Sequence, residues 1–184
     1  MKMLFVVSCC WLMMSCSTDI EHYQASTPQL HIDEYFSGEL IAWGMVQDYK
    51  NQLTRRFCVE ITGTWQNNVG KLAETFYFDD GEVSYRNWQL VKQANGRYQG
   101  SAEDVVGIAY GQELGAVFHW QYYLQVPIDG QLVKFFLDDW MYSLDQQRVF
   151  NRTKMKKFGV TLAEVTLFFD KSHPQQRCER ADNE

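Results

Sequence analysis

The sequence predicts an all-β protein, a single antiparallel up-and-down barrel preceded by a short N-terminal helix. Apolar and aromatic residues alternate with polar ones in short segments, as in strands with one buried face. The segments are separated by "DDG" at 79–81, "NG" at 95–96 and "DG" at 129–130, residue types that tolerate the positive φ of tight hairpin turns. A meander of eight or more strands tends to close into a barrel, because closure removes its edges.

The predicted strands follow one another with little chain between them. They cover 35–48, 53–66, 71–79, 82–92, 97–110, 116–128, 131–144 and 148–169. The last segment is long enough for two strands with a break near Gly159. Only "TPQLHIDEYF" indicates a helix, with Thr27 or Asp33 as its cap.

The first 15 residues have the features of a secretory signal. Lys2 precedes "MLFVVSCCWLMM", an uncharged run of twelve residues, whereas a membrane span needs about 20. "LMMSC" resembles the bacterial lipoprotein signal, which predicts lipidation of Cys16; Cys9 and an ordinary cleaved signal are the alternatives. Ser17 follows in place of Asp, so we expect the periplasmic face of the outer membrane. Residues 16–30 are polar and read as a tether.

The charge of the chain bears on its partners, and its cysteines bear on its crosslinks. Asp and Glu outnumber Lys and Arg, 23 to 17, and this acidic balance argues against nucleic acid as a partner. Cys58 and Cys178 remain beside Cys16 in an oxidising compartment. Either they form a disulfide that joins the C-terminal tail to an early strand, or they are two free thiols.

Two adjacent carboxylates lie in the apolar run "FFLDDWMY", residues 135–142. Neighbours on a strand point to opposite faces, so Asp138 and Asp139 cannot form one catalytic pair. If Gln146 and Gln147 make the next turn, Asp139 faces Lys154 on a solvated surface. Asp138 then points into the interior. A bulge would reverse this assignment.

A buried Asp138 needs a hydrogen-bond donor, and Arg86 is one candidate. The cluster is either a satisfied polar plug in the barrel or a site that recognises the headgroup of a ligand. Glu74 and Arg86 are likewise either a structural polar pair or part of a ligand site, and the answer depends on whether they face each other. A two-residue turn at 80–81 places them on opposite faces, and a three-residue loop places them opposite one another.

Motifs for other chemistry are missing from the sequence. The four histidines have no zinc-like spacing, and we find no nucleophile elbow and no phosphate loop. We therefore expect no metal, no cofactor and no enzymatic activity. Gly107, Gly111 and Gly115 are expected to mark bends or bulges.

Five segments together resemble a known family. They are "GELIAWGMVQD" (38–48), "FCVEITGTW" (57–65), "LAETFYFDDGEVSYRNW" (72–88), "FFLDDWMY" and "NRTKMKKFGV" (151–160). The chain resembles the DUF3833 family of uncharacterised bacterial lipoproteins. The resemblance implies a lipocalin-like barrel, here over residues 31–171, followed by a tail at 172–184. It also implies an association, by gene neighbourhood, with enzymes that modify unsaturated fatty acids in membranes. It implies no activity and no catalytic residues.

Two functions are compatible with this sequence. One is a lipid-anchored carrier or sensor that holds a fatty-acyl or similar apolar ligand in its barrel. The other is an accessory envelope lipoprotein whose barrel is filled by its own side chains and which works through an unidentified protein partner. The candidate ligand-binding residues are aromatic or polar residues in the strands: Trp43, Glu74, Arg86, Trp88, Asp138 and Trp140.

Overall fold

The computed structural model describes residues 18–178 and shows a closed barrel of ten antiparallel strands. The strands are β1 (Gly38–Asp48), β2 (Leu53–Gln66), β3 (Val69–Phe78), β4 (Val83–Lys92), β5 (Arg97–Ser101), β6 (Val105–Leu114), β7 (Val117–Ile128), β8 (Gln131–Ser143), β9 (Arg148–Lys157) and β10 (Val160–Asp170). Each strand pairs with its neighbours in sequence, and β1 pairs with β10. The predicted up-and-down barrel is confirmed, with two strands more than the eight of a lipocalin.

Helical structure in the described residues is short. One helix, α1, spans Ile32–Tyr35, and 3₁₀ turns cover Ile20–Tyr23 and Ala94–Gly96. None of these is long and apolar enough to cross a membrane. The predicted signal (1–15) and the predicted lipidation site, Cys16, lie outside the described residues.

One predicted strand is two strands. The segment 97–110 turns at residues 102–104 and continues as β6, with the N–H of Val105 donating to the carbonyl of Ala102. Farther along β6, Gly107 has a φ of 79°, and the register with β7 shifts between Val106 and Tyr110. The bulge expected near Gly107 is therefore present.

The turn at 79–81 decides how β3 and β4 face each other. The N–H of Phe78 donates to the carbonyl of Glu82, which leaves a three-residue loop with Gly81 at a φ of 85°. Glu74 and Arg86 are consequently direct cross-strand partners. Of the two loop lengths considered, the three-residue loop is the one that forms.

The turn between β8 and β9 is also one residue longer than expected. The Asp145 carboxylate accepts the N–H groups of Gln147 and Arg148, each at 2.8 Å, and Leu144 donates to the carbonyl of Arg148. This three-residue loop pairs Asp139 with Thr153. The predicted orientation is wrong by one position: Asp139 points into the barrel and is 6% exposed, and Asp138 lies outside.

The α1 segment closes one end of the barrel. Leu30, Ile32, Tyr35 and Phe36 are buried there. The Glu113 carboxylate accepts the N–H of Ile32 at 2.9 Å and so holds the start of the helix. No helix of residues 18–178 covers the opposite end, which carries the turns β1–β2, β3–β4, β5–β6, β7–β8 and β9–β10. We call this the open end.

We call the α1 segment, residues 30–36, the α1 plug, and its position requires a glycine on β2. A Cβ atom on Gly63 would lie 1.6 Å from the carbonyl oxygen of Phe36, so any larger residue would push α1 away from the wall. The same oxygen accepts the indole N–H of Trp65 at 3.3 Å. The close approach of backbone to backbone therefore fixes the height of the plug in the barrel.

The described part of the predicted tether, residues 18–30, contacts the barrel at several points, although most of its side chains are exposed. Leu30 is 2% exposed, and its N–H donates to the carbonyl of Gly115 at 2.8 Å. The ring of Tyr23 packs against Trp140 and Tyr142 on the outer wall. The folded unit thus begins about ten residues before the predicted boundary at residue 31.

Cys58 and Cys178 form a disulfide that spans 120 residues of sequence. The N–H of Cys178 also donates to the Glu60 carboxylate at 3.0 Å, and Arg177 lies 3.1 Å from the Glu39 carboxylate. The described part of the predicted tail, residues 172–178, is therefore fastened to the outside of β1 and β2 at Arg177 and Cys178.

We predict that Cys178→Ser lowers the free energy of unfolding by about 2–4 kcal/mol, because a crosslink over so long a loop restricts the unfolded chain. Urea denaturation in oxidising buffer measures the change. As a control, reductant should destabilise the wild type by a similar amount and leave the variant unchanged. Equal stability of the two proteins in oxidising buffer would contradict the prediction.

Candidate ligand cavity

The barrel encloses a cavity of about 290 Å³. Its floor is formed by Ile32 and Phe36 of the plug. The wall is mostly aromatic and aliphatic, with Phe57, Phe76, Trp88, Trp120, Leu137 and Leu167 among the lining residues. Ligand cavities commonly measure about 300–1,000 Å³, so this volume suits a small or slender ligand.

Three of the six predicted ligand-binding residues line the cavity and three do not. Glu74, Arg86 and Trp88 face inward. Trp43, 39% exposed, stacks on Phe168 on the outer surface. Asp138 and Trp140 are also on the outer wall, because the β8–β9 register differs by one residue from the expected one.

Five polar side chains interrupt the apolar lining: Glu74, Arg86, Asp139, Asn151 and Thr153. Asp104 does not line the cavity; it pairs with Arg86 from the β5–β6 turn, where its side chain is 33% exposed. We call these six residues the interior polar cluster. In its first half, the Arg86 guanidinium donates to Asp104 through Nε at 3.0 Å and through Nη2 at 2.6 Å. Its Nη1 lies 3.9 Å from the Glu74 carboxylate. Burial raises the pKa of Glu74 to about 7, although the nearby guanidinium opposes the shift.

The second half of the cluster is centred on Asp139. Asn151 donates from Nδ2 to the Asp139 carboxylate, and the Thr153 hydroxyl donates to Oδ1 of Asn151 at 3.2 Å. Burial raises the pKa of Asp139 to about 7, against the hydrogen bonds from Asn151 and Thr153, and the negative charges of Asp138 and Glu74 add to the rise. The charge of Glu74 therefore links the two halves of the cluster.

The wall beside Arg86 is held together by side chains. β4 pairs with β5 only from Gln89 to Lys92. Closer to the open end, the Arg86–Asp104 ion pair joins β4 to the β5–β6 turn. Glu103 adds a second link by accepting the backbone and side-chain N–H groups of Asn87, at 2.9 and 3.0 Å.

Asp138 belongs to a separate group on the outer wall. Its carboxylate lies 2.8 Å from Nε2 of His119 and 2.5 Å from Nζ of Lys156. Burial alone would raise the pKa of Asp138, but the hydrogen bonds from Lys156 and His119 outweigh it and lower the pKa. The His119 ring stacks on Trp140, with the ring centroids 3.9 Å apart. This group stabilises the outer surface and does not reach the cavity.

Sequence reasoning missed Asp139, Asn151 and Thr153, although a signal for them was present. Leu137 and Met141 share a strand face with Asp139, and exposing both would be unfavourable. On β9, Asn151 and Thr153 alternate with Arg152 and Lys154, which predicts that the uncharged residues face inward. Both patterns predict the observed β8–β9 register, in which Asp139, Asn151 and Thr153 face inward.

The candidate site combines an apolar cavity with a few polar side chains. In residues 18–178 no group of three or more His, Cys, Asp and Glu side chains is placed to hold a metal ion. The fold and cavity define the class: a closed ten-stranded β-barrel with an apolar interior and one buried polar cluster. The chain belongs to the DUF3833 family, described as proteins of unknown function, whose model matches residues 10–171. No curated protein matches the sequence.

We predict that Asp139→Ala lowers the free energy of unfolding by about 1–3 kcal/mol, because it leaves one N–H of the Asn151 amide unpaired in the interior, while Nδ2 keeps its contact with the carbonyl of Trp140 at 3.2 Å. Asp138→Ala, at the partly exposed outer wall, should cost about 1 kcal/mol or less. Urea denaturation at pH 7 compares the two. A larger loss in Asp138→Ala would contradict the assigned orientation.

The raised pKa of Asp139 also predicts a pH effect. Between about pH 4 and 7 the folded carboxyl retains a proton that the unfolded chain releases, so this group lowers stability as the pH rises. Asp139→Asn keeps an acceptor for Asn151 and removes the charge. Its unfolding free energy should therefore fall less steeply with pH than that of the wild type.

Proposed function

We propose that this protein is a lipid-anchored envelope lipoprotein whose barrel binds a single-chain, fatty-acyl-type ligand. The observation that carries the proposal is the apolar cavity of about 290 Å³ that remains inside the closed barrel. A barrel filled by its own side chains would leave no such volume. The proposal assigns no catalytic step to the protein.

The size and lining of the cavity support one slender chain. The volume of about 290 Å³ lies just below the usual range of about 300–1,000 Å³ for ligand cavities. The apolar wall provides contact along the length of a hydrocarbon chain. Transfer of such a chain from water is favourable by about 0.8 kcal/mol for each buried CH₂ group.

The charges in the interior polar cluster favour an uncharged headgroup. The cluster contains three carboxyl groups, those of Glu74, Asp104 and Asp139, and one guanidinium, and only the first two carboxyl groups lie against that guanidinium. Two guanidinium nitrogens of Arg86 are already engaged by Asp104. A carboxylate ligand would add a fourth acid to this group, whereas a hydroxyl or amide headgroup can donate to its oxygens. We therefore propose a neutral ligand such as a fatty alcohol, an acyl amide or a monoacylglycerol.

Family membership supports the lipid setting of the proposal. The resemblance implies gene neighbours that modify unsaturated fatty acids in membranes. The sequence "LMMSCS" predicts a diacylglycerol anchor on Cys16 and a position at the periplasmic face of the outer membrane. A carrier anchored there would exchange its ligand with the same membrane.

We predict that a chain beginning at residue 18 binds oleyl alcohol and monoolein saturably, as measured by tryptophan fluorescence. At pH 8 these neutral lipids should bind about tenfold more tightly than oleate, a difference of roughly 1.4 kcal/mol. The preference should shrink below pH 6, because Glu74 and Asp139, whose pKa values are about 7, become protonated and can donate to a carboxylate.

A cavity-filling variant provides the matched control. Val165 lines the cavity and Thr166, its neighbour on β10, faces outward. Val165→Trp should abolish binding, and Thr166→Trp should leave it intact. If no single-chain lipid binds to the wild type, the accessory-lipoprotein function replaces this proposal. Binding with a preference for oleate would contradict only the proposed headgroup.

The anchor is tested separately in cells. Labelling with a tagged fatty acid should mark the wild type and should be lost in Cys16→Ala. Labelling lost in Cys9→Ala instead would move the lipidation site, and equal labelling of the wild type and both variants would exclude lipidation at either cysteine.

A further inference from the structure

Three neighbouring turns at the open end expose large apolar side chains. They are the β9–β10 turn with Phe158 and Val160, the β1–β2 turn with Tyr49 and Leu53, and the β7–β8 turn with Ile128 and Leu132. Phe158 is 95% exposed, Tyr49 and Leu132 are each 67% exposed, and Val160 is 60% exposed. We call these six residues, with Lys50, Lys134 and Lys157, the apolar-basic rim.

The position of Phe158 is costly for the fold. Its φ is 52°, a left-handed conformation that favours Gly, Asn or Asp and is unusual for a bulky residue. The Asp129–Gly130 turn of the same barrel shows the usual choice at such a position. Phe158 stabilises no core, because it is almost fully exposed. A strained and exposed aromatic residue is therefore better explained by an external contact than by folding.

Each lysine of the rim lies beside an aromatic ring. Nζ of Lys50 is 5.3 Å from the ring centroid of Tyr49, and Nζ of Lys157 is 5.7 Å from that of Phe158. Nζ of Lys134 is 4.9 Å from the ring of Tyr123. None of these lysines forms a salt bridge within residues 18–178. Their charges are available to an external anion.

The rim turns also contain Asp48 and Asp129, so the three lysines leave the rim with a small positive excess, whereas the rest of the open end is acidic. The β3–β4 and β5–β6 turns carry Asp79, Asp80, Glu82, Glu103 and Asp104. Arg55, Arg56 and Arg86 pair with four of these five acids, which leaves the turns acidic overall. Tyr85, 73% exposed, lies beside these turns. Exposed aromatic residues thus occur on both sides of the open end, and only one side combines them with free lysines.

We propose that the apolar-basic rim docks on the surface of an anionic phospholipid bilayer. Apolar side chains that enter the interface, flanked by lysines that meet phosphate groups, are the chemistry of interfacial membrane contacts. The same anionic surface repels the acidic turns on the other side. The barrel is therefore tilted, and only the rim side of its open end contacts the bilayer. The contact depends on neither the anchor at Cys16 nor a ligand in the cavity.

The test places a photocrosslinking amino acid, benzoylphenylalanine, at position 158 of the full chain. Position 85 serves as the matched control, since Tyr85 is also an exposed aromatic residue near the open end. The proteins are reconstituted into vesicles of phosphatidylcholine with or without phosphatidylglycerol, irradiated, and analysed by mass spectrometry for phospholipid adducts.

We expect phospholipid adducts at position 158 and at least fivefold fewer at position 85. Adduct formation at 158 should rise with phosphatidylglycerol content. It should fall at least fivefold in the combined variant Lys50→Gln, Lys134→Gln and Lys157→Gln, since one lysine near an anionic surface contributes about a factor of five.

Equal adduct formation at the two positions, or no effect of the lysine substitutions, would overturn the proposal. Crosslinking in native membranes supplies the second measurement. Phospholipid adducts at 158 support membrane docking there, and adducts that contain only another protein would replace it with a protein-binding surface.

Discussion

Closure of the sheet by the β1–β10 pairing is the constraint on which the other features of this protein depend. A barrel of about eight strands is just wide enough for its side chains to fill, and the diameter grows with strand number. With ten strands, inward-facing aromatic residues such as Trp88 and Trp120 meet across part of the interior and leave a cavity. The α1 plug closes one end and leaves the other to its turns, so the same closure creates both an interior space and a rim.

The cavity is unusual in holding charged groups within an apolar wall. Burying a carboxylate is unfavourable unless it is paired, and the raised pKa values of Glu74 and Asp139 express this cost. Arg86 compensates for part of it, and its ion pair with Asp104 also joins two strands where backbone pairing is missing. The interior polar cluster therefore contributes to the integrity of the wall, and in the proposed function it also selects the headgroup of the ligand.

Half of the predicted ligand-binding residues line the cavity. Glu74, Arg86 and Trp88 stand out in the sequence by their chemistry in an apolar segment, but only the three-residue β3–β4 loop of the structure decides that Glu74 and Arg86 face each other. A two-residue β8–β9 loop predicts that Asp138 points inward, whereas the observed three-residue loop turns Asp139 inward. Asp145 lengthens that loop by accepting two backbone N–H groups, and a single added residue turns every later side chain to the other face. Trp43 and Trp140 were candidates for their size, which says nothing about the direction in which a strand residue points.

The sequence alone determined the class of fold, most strand positions and the meander, because these follow from local alternation and from turn residues that tolerate positive φ. It did not reveal the β5–β6 turn at residues 102–104, which lacks glycine, asparagine and proline and is held by contacts with Arg86 and Asn87 on a distant strand. Only the tertiary structure decided the disulfide, the packed N-terminal segment, the inward direction of Asp139 and the cavity itself. Each of these depends on distances between residues far apart in the chain, and such distances are set only when the strands close into a ring.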